Sequence, residues 1–237
     1  MILDPSFITK VGLALLVAAV LAFAVTPLVK RLAQKVGAMD VPTDGRRMHH
    51  RPIPRMGGLA IFTAFLVSTL LFAFPEIDRE VRGILLGAVI IVILGVLDDI
   101  FTLHAGLKFV VQIAAAVVTV LHGCRIEHFM GLQLATWLSY PVSVIWIVTI
   151  TNAVNFIDGL DGLAAGVCAI SAGAMLVVAL LVADFMSAVM LAAIVGACVG
   201  FIPYNFNPAK IFMGDTGSTF LGFMLSTISI YVLFKMY

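Results

Sequence analysis

The sequence predicts an all-α, polytopic integral-membrane helix bundle of about eight spans, with its N-terminus outside and its working face in the cytoplasm. Three observations carry this reading. The 237-residue chain is 62% hydrophobic and 11% charged, with mean hydropathy +1.15, against roughly 45–50% apolar and 25% charged in soluble domains. Its apolar residues fall in runs of about 15 to 22, close to the roughly 20 that cross a bilayer. Its basic residues collect in one early loop.

The runs occupy residues 7–28, 57–74, 83–97, 106–121, 138–150, 163–183, 185–204 and 219–234. The first lacks the basic start and small-residue cleavage site of a secretory signal and is read as a retained span. The third and fifth look short because Asp98 and Asp99, or Asn152 and Asn155, take their last turns; helix is expected to continue through them. No internal repeat, low-complexity tract or composition shift divides the chain, so residues 1–237 read as a single transmembrane domain. Cys124, Cys168 and Cys198 have no metal-ligand spacing and read as small packing residues.

Orientation follows from the loops. Residues 29–56 carry Lys30, Arg31, Lys35, Arg46, Arg47, Arg51 and Arg55 against Asp40 and Asp44, whereas the next loop carries Arg79 and Arg82 against Glu76, Asp78 and Glu80. Positive-inside bias puts the first loop in the cytoplasm. Alternation then brings the segments near 98–108, 155–163 and 204–218 to the same face. The outer loop 122–137, with His122, Arg125, Glu127 and His128, reads as an ordinary solvated connection. Nothing in the charge pattern suggests nucleic acid.

The cytoplasmic segments hold nearly every unusual polar residue. Asp98, Asp99, Asp158, Asp161 and Asp215 are five carboxylates on one membrane face, joined by Lys108, Lys210 and the Arg-rich loop. Carboxylates beside lipid are costly and mark functional sites. Acids mixed with bases suggest Mg²⁺ holding a phosphate, because Mg²⁺ takes one or two carboxylates and completes its shell with substrate oxygens. The blander reading is a charge network that only snorkels into water. Even-numbered spans begin on this face and present free N–H groups suited to phosphate; odd-numbered spans end there, beside Asp98, Asp99 and Asn155.

Two stretches carry the pattern. In residues 151–166, Asn152, Asn155, Asp158 and Asp161 recur every third residue, a spacing that drifts about 60° per step on a helix. Gly159 and Gly162 predict that the helix ends near Asp158 and that a turn returns Asp161 to the same pocket. In residues 207–218, Asp215, Thr216 and Ser218 are N-cap candidates. Gly214 and Gly217 would let a ligand approach the backbone. Phe212 could stack on a nucleobase or simply pack at the interface.

These residues resemble a known family. Asp98-Asp99 followed by Leu103, Lys108 and Gln112, then Asn152-Ala153-Val154-Asn155-Phe156-Ile157-Asp158-Gly159-Leu160-Asp161-Gly162-Leu163, then Pro208-Ala209-Lys210-Ile211-Phe212-Met213-Gly214-Asp215-Thr216-Gly217-Ser218, are similar to the polyprenyl-phosphate N-acetylhexosamine-1-phosphate transferases. The resemblance runs from about Pro27 to the end. Pro52-Ile53-Pro54-Arg55-Met56 is nearer the N-acetylglucosamine branch than the muramoyl-pentapeptide translocase. The resemblance implies transfer of a sugar 1-phosphate from a UDP-sugar to undecaprenyl phosphate with release of UMP, in the bacterial inner membrane, as a first step of envelope polysaccharide synthesis.

By motif, the resemblance makes Asp215 the main Mg²⁺ ligand, with Mn²⁺ as a substitute, and Asp99 a second. It gives catalytic positions to Asp98, Asp99, Asp158, Asp161 and Lys108. Asn152, Asn155, Phe212, Gly214, Thr216 and Lys210 would bind substrate, and Arg51 and Arg55 would hold the diphosphate. Further partners would be membrane lipid and a second copy or a pathway protein. Family members usually carry two or three more spans and a His-rich cytoplasmic loop, so part of the family fold is expected to be missing here. A catalytically inactive scaffold, an ion-coupled transporter and an intramembrane prenyltransferase are the competing classes. The transporter would want inverted repeats and broken mid-membrane helices, and the prenyltransferase Asp-rich repeats.

Overall fold

The computed structural model describes residues 4–42, 51–129 and 132–234; Asp44, Arg46, Arg47, His49 and His50 of the basic loop lie outside the described residues. Among the described residues the chain forms eight α-helices: α1 Pro5–Val36, α2 Gly58–Ala73, α3 Arg79–Phe101, α4 Ala105–Leu121, α5 Thr136–Ile157, α6 Leu163–Leu181, α7 Phe185–Asn205 and α8 Gly214–Phe234. Six helical segments are long and apolar enough to cross a membrane by length and composition, and α4 is a shorter apolar helix of 17 residues. The protein is a polytopic all-α membrane protein.

Local chemistry sets the helix ends. Asp4 caps α1, its Oδ1 accepting from Ser6 N at 3.0 Å. The helix runs on through Pro27, Lys30 and Arg31 for 32 residues, well beyond the expected stop near residue 28. At 1.5 Å per residue it is about 48 Å long, more than the roughly 30 Å hydrocarbon core. Gly37 ends it in the left-handed region at φ 78°. Helix α3 does continue through Asp98 and Asp99, and α5 through Asn152 and Asn155.

Two short hairpins were not legible in the pattern. β1 Met39–Asp40 pairs antiparallel with β2 Ile53–Pro54, and β3 His128–Phe129 with β4 Leu132–Gln133. The first matters for the site. Its edge is extended by Arg55 N donating to Ala38 O at 2.9 Å, and by Phe212 N donating to Pro54 O at 2.8 Å.

Helix α8 is the buried centre, packed chiefly on α3 and α5, with α1 lying along α7 on the other side. Phe220, Leu221, Phe223 and Met224 are fully buried. Lipid supplies no hydrophobic force between helices, so close approach depends on small residues. Gly196 and Gly200 of α7 press on the backbone oxygens of Leu15 and Ala19 of α1, and Gly58 of α2 lies on Gly217 of α8. A side chain at these positions has no room. Gly173 of α6, by contrast, faces open space.

Gly196→Leu should therefore destabilise the bundle by about 1–3 kcal/mol, the usual range for overpacking, while Gly173→Leu should leave it unchanged. Thermal unfolding in detergent checks both, and equal behaviour of the two variants would sink the packing account.

Candidate active site

The ends of α3 and α5 and the beginnings of α4 and α8 meet in one polar cluster. Its foundation is Asp99, only 3% exposed. Its Oδ1 accepts from Asp215 N at 3.0 Å, and its Oδ2 accepts from Thr216 N at 3.1 Å and Thr216 Oγ1 at 2.6 Å. A helix N-terminus leaves several N–H groups unpaired, and here a carboxylate from a different helix takes them. The expectation that Asp215, Thr216 or Ser218 caps this helix is corrected: α8 begins at Gly214, and Asp99 is the capping group. The anion bound at this N-terminus belongs to the protein itself.

Gly214 makes that contact feasible. Its φ is +72°, and a Cβ there would meet the Asp99 carboxylate. Both features require glycine at this position.

Asp215, the next residue, is freed by the cap to face outward. Its Oδ2 accepts from Lys108 Nζ at 2.8 Å, and its Oδ1 from Asn155 Nδ2 at 3.2 Å. Lys108 also donates to Asp98 Oδ2 at 3.0 Å, and Asp98 Oδ1 accepts from Leu103 N at 2.7 Å. Asn155 further donates to Ser218 Oγ at 2.8 Å. Asp98, Lys108, Asp215 and Asn155 thus form one continuous chain across α3, α4, α8 and α5.

Asp158 caps the C-terminus of α5, where the sequence predicted the helix to stop. It is half-buried, and among the described residues its carboxylate accepts no hydrogen bond. Burial, then the charges of Asp215 and Asp99, push its pKa from the ordinary 3.8 up to about 7. A carboxyl with a raised folded-state pKa favours the fold when protonated; that contribution is lost as pH rises through the folded value. At neutral pH its charge opposes folding and invites a cation.

Other expected residues fall elsewhere. Asp161 does not join the cluster: its Oδ2 accepts from Asn207 Nδ2 at 3.1 Å and Ala209 N at 3.0 Å, which fastens the loop after α7. Asn205, which the sequence reading passed over, holds the same loop from the other side. Its Oδ1 accepts from Gly162 N and its Nδ2 donates to Ile211 O, each at 3.1 Å. As the polar residue ending an apolar run, it carried a signal that could have been read.

Asn152 lies one turn deeper than Asn155, donating to Gln112 Oε1 at 2.7 Å. Phe212 is half-buried and Lys210 exposed on the fastened loop, and Thr216 is buried against Asp99. Arg51 is exposed; Arg55 is half-buried, with a buried Nε that makes no hydrogen bond among the described residues. Arg55 precedes Met56, whose φ of +82° is strained for a residue with a side chain.

The donor chemistry fits Mg²⁺. The donors are hard carboxylate oxygens, the kind Mg²⁺ takes: those of Asp98 and Asp215 share the Lys108 ammonium, and Asp158 lies near enough to Asp215 and Asp99 to feel their charge. Among the described residues no group of three or more His, Cys, Asp or Glu side chains is placed to hold a metal ion; Mg²⁺ takes one or two carboxylates and draws the rest of its shell from water and substrate phosphate oxygens.

Asp99→Ala should cost about 0.5–2 kcal/mol of stability, the range for losing a cap, whereas Asp158→Ala should cost nothing and raise the unfolding midpoint at pH 8, where its charge opposes folding. Thermal unfolding in chelator at pH 8 compares them; a stable Asp99→Ala protein would refute the capping role.

This geometry gives the comparisons with known proteins their meaning. The chain is 41% identical over 231 residues to a probable undecaprenyl-phosphate N-acetylglucosaminyl 1-phosphate transferase of Bacillus subtilis, covering 95% of this chain and 64% of that one. It is 37% identical over 242 residues to a decaprenyl-phosphate N-acetylglucosaminephosphotransferase of Mycobacterium tuberculosis, covering 93% and 60%. It is 33% identical over 258 residues to a phospho-N-acetylmuramoyl-pentapeptide-transferase of Desulforudis audaxviator, covering 92% and 74%. The chain spans under two thirds of the length of the first two relatives, and its greater likeness to them fits the N-acetylglucosamine branch. The model of glycosyl transferase family 4 matches residues 81–233, from the start of α3 to the end of α8, which includes Asp98, Lys108, Asn155, Asp158 and Asp215; the chain belongs to that family.

Proposed function

We propose that the chain transfers N-acetylglucosamine 1-phosphate from UDP-N-acetylglucosamine to a polyprenyl phosphate, undecaprenyl phosphate in a bacterial inner membrane, releasing UMP. The observation that carries this is the chain of contacts Asp98, Lys108, Asp215 and Asn155 at converging helix ends, with Asp158 beside it. Such a site can hold two phosphorylated substrates at the edge of the lipid. The names of the relatives support the choice of sugar and lipid. A transporter would place its carboxylates at broken mid-membrane helices; their position at helix ends favours the transferase.

The acceptor's phosphate has a second pKa of about 6, so it is mostly dianionic at neutral pH and attacks without a strong base. Lys108 neutralises charge on the phosphates. Asp98, held by Leu103 N–H, positions the acceptor through Lys108 rather than taking its proton. Arg51 and Arg55 hold the donor diphosphate, and Phe212 lies against uracil on the loop that Asp161 and Asn205 fasten. Lys210, on the same loop, attracts the nucleotide. Mg²⁺, or Mn²⁺ in its place, held by Asp215 and Asp158 together with substrate oxygens, would supply further charge neutralisation at the transferred phosphorus. Asp99 keeps Asp215 in place instead of serving as a ligand.

The test is UMP release from UDP-N-acetylglucosamine by the purified protein with undecaprenyl phosphate and Mg²⁺. Release should depend on lipid, proceed with inversion at phosphorus and fall at least about a hundredfold in Asp215→Asn, the scale for losing a principal charge-stabilising group. Retention would replace direct attack with a phosphoryl-enzyme, and nucleotide binding without turnover would point to the scaffold.

The same reading puts the basic loop inside the cell, supported by the bias of its Lys and Arg residues. A cysteine introduced near position 45 should resist an impermeant thiol reagent in intact cells; labelling from outside would invert the map.

A further inference from the structure

Gln112 and Asn152 have no part in the mechanism proposed above, although the family resemblance gave Asn152 a substrate contact; they are hydrogen-bonded to each other, Gln112 buried and Asn152 half-buried. Gln112 is 4% exposed, and Asn152 Nδ2 donates to its Oε1 at 2.7 Å and to Val148 O at 2.8 Å. Gln112 lies four residues after Lys108 on α4, and Asn152 three residues before Asn155 on α5. Residues three or four apart share a helix face. The bond is therefore the lower rung of a ladder whose upper rung is Lys108, Asp215 and Asn155.

Together the two rungs close a ring: Lys108 to Gln112 along α4, across to Asn152, along α5 to Asn155, and back through the two oxygens of Asp215. Lys108 and Asn155 must reach opposite oxygens of one carboxylate, at 2.8 and 3.2 Å. That demands a fixed separation of α4 from α5 at this depth. Apolar contacts in lipid are indifferent to small slides, whereas a short hydrogen bond between the buried Gln112 amide and the half-buried Asn152 amide is not.

We propose that Gln112 and Asn152 form a positioning pair that sets the α4–α5 separation and so holds Lys108 against Asp215. In this role Asn152 acts through Gln112 and does not touch the nucleotide. The catalytic consequence rests on the transferase reading; the mechanical one does not. A displacement of about 1 Å at a reacting group can cost as much as a hundredfold in rate, so the pair matters although it is remote from the reacting atoms.

The experiment compares Gln112→Leu, Asn152→Leu, the double leucine variant, and the exchanged pair Gln112→Asn with Asn152→Gln, which keeps the combined side-chain length. Two readouts are taken: UMP release, and acetylation of Lys108 by acetic anhydride measured by mass spectrometry, which needs no turnover. Each leucine variant should lower kcat about tenfold, with KM for UDP-N-acetylglucosamine within about twofold, and acetylate Lys108 several-fold faster. The double variant should be no worse than either single, because one bond can be lost only once, and the exchanged pair should restore both readouts.

A raised KM confined to Asn152→Leu, additive losses, or unchanged Lys108 acetylation would each overturn the proposal. Should the leucine variants fail to fold, Gln112→Asn alone against the exchanged pair decides it: equal acetylation rates overturn it, and faster labelling in the single variant upholds it. No UMP release from the unaltered protein would defeat the transferase reading alone, leaving the labelling result to judge the pair.

Discussion

The carboxylate of Asp99 on the first N–H groups of α8 is the interaction on which the site depends. It joins the end of one helix to the beginning of another through three hydrogen bonds. A buried charge is tolerated only where it is paired or fully hydrogen-bonded, and a helix N-terminus supplies both donors and partial positive charge. Once Asp99 occupies that end, Asp215 has no capping duty and turns to Lys108 and Asn155. The same bond fixes the depth of α8, since Gly95 of α3 lies against Thr216.

The electrostatics follow from this division of labour. Four carboxylates crowd one end of the bundle, and they differ by what each already holds. Asp99 is committed to a helix end and Asp98 to the Leu103 turn and Lys108. Asp215 shares its oxygens between an ammonium and an amide. Asp158, whose carboxylate accepts no hydrogen bond among the described residues and has like charges nearby, is the least satisfied. Uncompensated negative charge at a membrane edge is what a cation and a phosphorylated ligand can relieve.

Small residues make such convergence feasible. Helix ends come within hydrogen-bonding reach only if the helices behind them pack closely, and Gly58, Gly95 and Gly217 let α2, α3 and α8 meet nearly backbone to backbone. The loop before α8 is then held from three sides: by Asp161 at the turn between α5 and α6, by Asn205 at the end of α7, and by Pro54 and Gly57, which bond the backbone of Phe212. Residues distant in sequence thereby present Arg55, Phe212 and Asp215 on one short, tethered surface.

The sequence by itself determined the membrane class, the helix count, the continuation of α3 and α5 through their polar turns, and the family. These depend on the cost of polar groups in lipid and on local periodicity, both readable along the chain. It also named Asp98, Lys108, Asn155, Asp158 and Asp215, because charges beside apolar runs stand out. Only the tertiary structure decided what each does to its neighbours: that Asp99 caps α8, that Asp161 fastens a loop, that Asn152 meets Gln112, and that α1 outruns the bilayer. Hydrogen-bond partners 40 to 117 residues apart are fixed by how helices pack, and helix packing in lipid turns on where glycines allow backbones to touch, which no local pattern records.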